Sequence, residues 1–109
     1  AMATIGTDMT SFTLNGRTIH RKDGSLRLAD GTLAGADLDM ISAVRFIHRV
    51  VGLDLDEALR MASLYPAQAV GQSSRHGRLG AGAAADIVSL SDDLDVRRVW
   101  IGGAPVFAA

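Results

Sequence analysis

The chain has 109 residues, 48% of them hydrophobic but only 5% aromatic, with a formal net charge of −1 and no cysteine. That length makes one domain or part of a larger one, and the apolar share excludes a disordered chain. Near-neutral charge argues against nucleic acid or an anionic membrane as a partner, and the lack of thiols excludes a disulfide framework or a thiolate metal site.

No apolar run approaches the roughly 20 residues that span a bilayer, and no signal peptide is read at the start, so the expected location is cytoplasmic. Residues 1–10 carry Gly6, Thr7 and Asp8 without periodicity and read as a loop. Phe12-Thr13-Leu14 and Arg17-Thr18-Ile19 flank Asn15-Gly16, a hairpin turn in which both positions tolerate positive φ. Asp23-Gly24 makes a second turn before a short strand, Ser25-Leu26-Arg27-Leu28. Such a meander is stable only if one face is covered. Across 30–40 the period then changes abruptly. Asp30-Gly31 marks a turn, Gly35 permits close backbone approach or positive φ, and Asp37 is placed to accept the first free amides of a helix. The stretch reads as a strand-to-helix connection with N–H groups pointing outward from the helix start.

Leu38, Ile41, Val44, Ile47, Val50 and Val51 recur at helical spacing through 38–51, and Gly52 stops the helix. Met40, Ala43 and Phe46 add a second apolar stripe, more than one packing partner requires. The isolated chain is therefore expected to be a homo-oligomer. Asp54 and Glu57 have capping-box spacing for the next helix, whose buried face is Leu55, Ala58, Leu59 and Ala62. That helix should end near Leu64, because Tyr65 precedes Pro66. Pro66 then opens a short third helix to Val70, closed by Gly71. A loop rich in Gly, Ala and Ser fills 72–85, followed by strands over 86–90, 97–101 and 105–107, the last two joined by Gly102-Gly103. Strands, helices, then strands make the class α+β, in three segments: 1–36 meander and loop, 37–71 helices, 72–109 strands.

Chemistry is harder to find. His20, His48 and His76 have no histidine or carboxylate at the local spacing of a metal site. His48 reads as exposed or locally hydrogen-bonded. Asp92, Asp93 and Asp95 read as a solvated acidic loop. There is no nucleophile elbow, phosphate loop or Ser/His/Asp set. Residue types and spacing alone describe an α+β domain without a complete active site.

Two stretches add a resemblance. Met61-Ala62-Ser63-Leu64-Tyr65-Pro66-Ala67 followed by Gly71, and Gly77-Arg78-Leu79-Gly80-Ala81-Gly82 leading into Ala85-Asp86-Ile87-Val88, resemble the C-terminal signature of the amidohydrolase superfamily. There a barrel helix gives way to a strand of a small β-sandwich, and Asp86 is placed to satisfy loop amides before that strand. The narrower match is 30–40 with Ala43-Val44-Arg45, the hairpin over 12–19, and 59–67. It is similar to the N-acetylglucosamine-6-phosphate deacetylase family, across nearly the whole chain but only the last third of such an enzyme.

The resemblance implies a metal-dependent hydrolase built of a TIM barrel and a small β-sandwich, of which this chain holds the last barrel helices and some sandwich strands. It implies hydrolysis of the acetamide of N-acetylglucosamine 6-phosphate to glucosamine 6-phosphate and acetate. It sets Leu33, Ala34 and Gly35 beside the amino-sugar phosphate substrate. It also implies a divalent zinc or iron ion held by a Glu and two His on earlier barrel strands, and a catalytic Asp immediately before a stretch like Ala1-Met2. Neither Asp8 nor Asp37 matches that Asp. No catalytic residue and no metal ligand is thus expected here, and the chain alone is expected to be inactive. Two alternatives stand beside this reading. One is a non-catalytic truncated remnant that only folds or oligomerises. The other is the C-terminal piece of another amidohydrolase, such as a dihydroorotase-like enzyme, against which Leu33-Ala34-Gly35 with Leu38 and Met40 argue.

Overall fold

The computed structural model describes residues 2–109, which divide into two units between Ala43 and Val44. In the first, Asn15 and Gly16 both take positive φ, 50° and 74°, the conformation that joins twisted strands with least strain. They link β1 (Ser11–Leu14) to β2 (Arg17–Lys22), and Asp23-Gly24 repeats the device before β3 (Ser25–Leu28). At Asp30-Gly31 the Gly31 amide returns to Leu28 O at 2.9 Å, and the Asp30 carboxylate accepts from Thr32 N at 2.9 Å. That Thr32 amide holds the Asp30 carboxyl below the usual carboxylate range.

The chain then does something the residue pattern did not predict. Instead of connecting directly to a helix, Leu33–Ala36 forms a fourth strand, β4, antiparallel to β3. Small residues have low strand propensity, but the open edge of β3 offers unpaired amides, and pairing there overrides propensity. The sheet order is β1-β2-β3-β4. Its fully buried side chains are Leu26 and Thr4, the latter on the turn-rich segment that precedes β1.

The expected helix over 38–51 is present in two parts. An α-helical part, α1 (Met40–Phe46), runs into a π-helical turn, Ile47–Val51. Gly52 stops it at φ 87°, with its amide on Ile47 O at 3.1 Å, five residues back. The N-cap is Asp39, not Asp37: Asp39 Oδ1 accepts from Ser42 N at 2.6 Å. Asp37 is drawn to Thr4 and Arg21 instead.

Within the second unit, Arg45 Nη2 donates to Leu94 O at 2.9 Å and to Asp95 Oδ1 at 2.6 Å, while Arg49 Nη2 donates to Asp93 O at 3.0 Å. The acidic loop is therefore only partly solvent-directed. It ties two arginines of one helix to the connection between β5 (Ile87–Leu90) and β6 (Val96–Ile101). With β7 (Ala104–Ala108) these strands form a separate antiparallel sheet in the order β5-β6-β7. Asp86 satisfies an amide, as expected, but that of Gly102 in the β6–β7 turn, at 2.8 Å.

Helices α2 (Leu55–Ala62) and α3 (Leu64–Ala69) meet through small residues, with Ala58 and Ala67 buried. Helix α3 begins before Pro66, so Tyr65 is helical after all. Pro66 sits in the first turn, where a backbone N–H has no intrahelical partner to lose. No capping box forms at Asp54, whose side chain makes no cap hydrogen bond. Glu57 instead accepts from Arg60 Nε at 3.0 Å and from Tyr65 Oη at 2.8 and 3.0 Å. No helix among the described residues is long and apolar enough to cross a membrane.

The Glu57–Tyr65–Arg60 cluster has a pH signature. The Tyr65 hydroxyl and the Arg60 guanidinium hold the Glu57 carboxyl below its ordinary value, and the same carboxylate pushes the Tyr65 hydroxyl up. The Glu57 contribution to stability is present above the ordinary carboxylate range and lost as pH falls through its depressed value. The Tyr65 contribution is present below the ordinary tyrosine value and lost as pH rises through its raised one. Tyr65 is the only tyrosine, so an ultraviolet titration reads it directly. Its midpoint is expected above that of a free tyrosine and should fall back in Glu57→Ala. An unchanged midpoint in the variant would contradict the assignment.

Candidate functional site

Leu33, Ala34 and Gly35 lie together on β4, the edge strand of the first sheet. Leu33 pairs with Arg27 and Gly35 with Leu26, so Ala34 is the extra residue of a β-bulge. A bulge at a sheet edge re-aims its side chain and locally interrupts pairing. The other edge of β4 has no strand partner among the described residues, and Leu33 is 64% exposed. Ala34 and Gly35 beside it are half-buried.

Gly35 does not adopt positive φ, so it is not there to permit a turn. A Cβ built on it would lie 2.7 Å from Met2 Sδ and 3.9 Å from Leu26 Cδ1. Its small size makes room for the segment before β1 to pack on β4.

Directly after β4 comes a feature that residue spacing did not reveal. Asp37 accepts from Thr4 Oγ1 at 3.1 Å and from Arg21 Nε at 2.5 Å, and Arg21 Nη1 donates to Thr7 O at 2.8 Å. One carboxylate thereby joins β2, the end of β4 and the segment before β1. An Asp beside a helix is a cap by local rules, and only the alternation that sends Arg21 to the same side of the sheet hinted otherwise. An open groove near the β3–β4 turn is lined by Arg17, Thr18, Leu28, Ala29 and Asp30. It sets one cation against one anion and so selects neither charge.

The histidines fall where the sequence put them: His20 on β2, His48 in the π-helical turn with Nδ1 2.9 Å from Leu53 O, and His76 in the long loop with Nδ1 3.4 Å from Asp86 Oδ2. Among the described residues no three His, Asp or Glu side chains converge as a metal site would require. Ala1, part of the stretch that the resemblance sets after a catalytic Asp, lies outside the described residues.

Residues 3–106 match the amidohydrolase family over almost the whole chain. The chain belongs to the amidohydrolase family. Among its relatives, an N-acetylgalactosamine-6-phosphate deacetylase of Shewanella sp. (strain ANA-3) is 38% identical over 100% of this chain and 27% of its own length. An N-acetylglucosamine-6-phosphate deacetylase of Vibrio furnissii is 32% identical with the same coverage. The crystal structure of N-acetylglucosamine-6-phosphate deacetylase from Pasteurella multocida superposes with a TM-score of 0.91 at 35% identity, covering 100% of this chain and 28% of that one. This amidohydrolase chain thus spans little more than a quarter of the length of these three deacetylases, and its α+β fold is the fold of that portion.

Proposed function

We propose that this chain supplies part of the substrate site of an enzyme that hydrolyses the acetamide of N-acetylglucosamine 6-phosphate. Water adds to the amide carbonyl, the C–N bond breaks, and acetate leaves the free amine of glucosamine 6-phosphate. The observation that carries this reading is the match of the entire chain to deacetylases, 35% identical at a TM-score of 0.91. The bulged edge at Leu33, Ala34 and Gly35 supports the contact role: its outer side has no strand partner among the described residues, and two of its three residues are small. The chemical groups that activate water, and any zinc or iron ion, belong to residues other than those of this chain. The 4-epimer, N-acetylgalactosamine 6-phosphate, is a second reading, favoured by the 38% identity to the Shewanella enzyme named for it.

The test is a chimera in which residues 2–109 replace the matching portion of the Pasteurella enzyme. Acetate release from both epimers is measured, with the isolated chain as control. The chimera is expected to turn over the gluco epimer faster, and the isolated chain to match buffer. In the same chimera Gly35→Val should raise KM or lower kcat while the melting temperature moves only a few degrees. A folded chimera that deacetylates neither epimer overturns the reading. A large loss of stability with normal kinetics in the surviving fraction would reduce Gly35 to a packing role.

A further inference from the structure

Every connection in the first sheet carries Asn or Asp followed by Gly: Asn15-Gly16, Asp23-Gly24 and Asp30-Gly31. In such a pair the glycine amide nitrogen can attack the side-chain carbonyl carbon of the residue before it, because no Cβ shields that nitrogen. A Cβ built on any of these glycines meets no atom within 4 Å, so room for the ring exists at each turn. The three pairs are chemically alike. The fold treats them differently.

The glycine amide is the nucleophile, and any hydrogen bond it donates must break before it reacts. At Asp30-Gly31 that amide donates to Leu28 O at 2.9 Å, closing a β-turn of which the glycine is the last residue. In the other two turns the glycine sits one place earlier, as the second central residue of a two-residue hairpin loop. The closing amide there belongs to the next residue. Among the described residues neither the Gly16 nor the Gly24 N–H donates a hydrogen bond. The leaving group then separates these two. A carboxamide expels ammonia, whereas a carboxylate must be protonated before it can expel water. Asp30 is disfavoured twice, since the Thr32 amide also holds its carboxyl below the usual carboxylate range.

We propose that Asn15 is a site of spontaneous backbone modification, passing through a cyclic imide to aspartate and isoaspartate, and that the fold ranks Asp23 second and protects Asp30. In the first step the bond from Gly16 N to Asn15 Cγ forms and the Cγ–Nδ2 bond breaks. Ammonia leaves with the proton of the Gly16 amide. Water then opens the imide. Cleavage at Cγ gives aspartate, and cleavage at the main-chain carbonyl gives isoaspartate, whose backbone runs through Cβ and Cγ. Isoaspartate adds a methylene to the chain inside the turn that sets the Leu14–Arg17 register. Strand β1 pairs only with β2 among the described residues, so its hydrogen bonds are the ones released.

The experiment ages the purified chain at mildly alkaline pH, beside a sample unfolded in guanidinium chloride. Trypsin puts the three sites on separate peptides, because Arg17, Lys22, Arg27 and Arg45 divide them. Asn15 is the only asparagine, so its conversion is read without interference from another. The peptide ending at Arg17 is expected to gain the mass difference between an amide and an acid in both samples. Enzymatic methylation of the new carboxylate should identify isoaspartate beside aspartate. At Asp23 and Asp30 isoaspartate should form equally in the unfolded sample. In the folded one Asp23 should exceed Asp30 by about threefold to tenfold, the worth of one amide hydrogen bond. Hydrogen exchange at the β1 amides should quicken as the folded chain ages. Asn15→Gly keeps access to positive φ but has no side-chain carbonyl, so it should gain no mass and retain the exchange of fresh parent. A folded chain that keeps its amide while the unfolded chain loses it overturns the proposal. So does aspartate without isoaspartate, which bypasses the imide. Equal isoaspartate at Asp23 and Asp30 in the folded chain overturns the ranking, and loosening of β1 in aged Asn15→Gly overturns the consequence drawn for the hairpin.

Discussion

Gly77→Ala is expected to cost the second unit about 3 kcal/mol, combining the left-handed backbone penalty with overpacking. Gly77 sits at φ +76°, where an L side chain is strained. A Cβ there would also stand 2.6 Å from Ser63 O and 2.9 Å from both Ala67 Cβ and Leu64 Cα. Two of those atoms are backbone, at the junction of α2 and α3, and Ala67 is buried. Nothing flexible is available to give way. Gly82 is the control: its φ is +80°, but a Cβ added there would meet no atom within 4 Å, so Gly82→Ala should lose only about 1–2 kcal/mol from backbone strain. Urea denaturation of both variants decides the matter. Equal losses would mean that the loop does not press on the helices as the geometry says. The close approach also explains why position 77 carries no side chain, because the loop crosses the helix backbone there at contact distance.

The second large effect is expected at Asp37. Asp37→Ala removes the acceptor of both Thr4 and Arg21 and leaves Thr4, which is 0% exposed, with an unpaired hydroxyl. The Arg21 side chain is about one-third exposed, which lets solvent screen part of the pair. We therefore expect a loss of about 2 kcal/mol, between the values for exposed and buried ion pairs. Asp37→Asn keeps an acceptor for Thr4 and should lose less. Combining Asp37→Ala with Arg21→Met removes the stranded charge and should lose less than the sum of the two single changes. Hydrogen exchange at β4 amides gives a local readout, since the carboxylate anchors the chain one residue beyond that strand. Additive losses in the double variant would show that the pair does not couple.

Much of the architecture was legible in the residues because it depends on near neighbours. Asn15-Gly16 and Gly102-Gly103 specify their turns through positive φ alone, and the strand ends that flank them are found within a residue of expectation, although β2 runs on to Lys22, three residues past Ile19. The double apolar stripe of 38–51 was equally plain, since helical spacing assigns faces without knowing what covers them. The motif around Pro66 and the Gly77 to Val88 stretch pointed to the amidohydrolase family, to which the chain belongs.

Other features required the fold. No local signal marks Leu33–Ala36 as a strand, because Leu-Ala-Gly-Ala pairs only where the edge of β3 is waiting. The triplet Leu33-Ala34-Gly35 came from resemblance, but the bulge that makes Ala34 the unpaired residue comes from its register with Leu26 and Arg27. Asp37 has the local setting of a helix cap and yet works as a clamp, because Thr4 and Arg21, 33 and 16 residues away along the chain, reach it first. With Asp37 so engaged, capping passes to Asp39. Spacing rules see about one turn of chain in either direction. A carboxylate whose partners lie beyond that distance is assigned by the tertiary structure, which alone decides which charges meet and which edge of a sheet stays open.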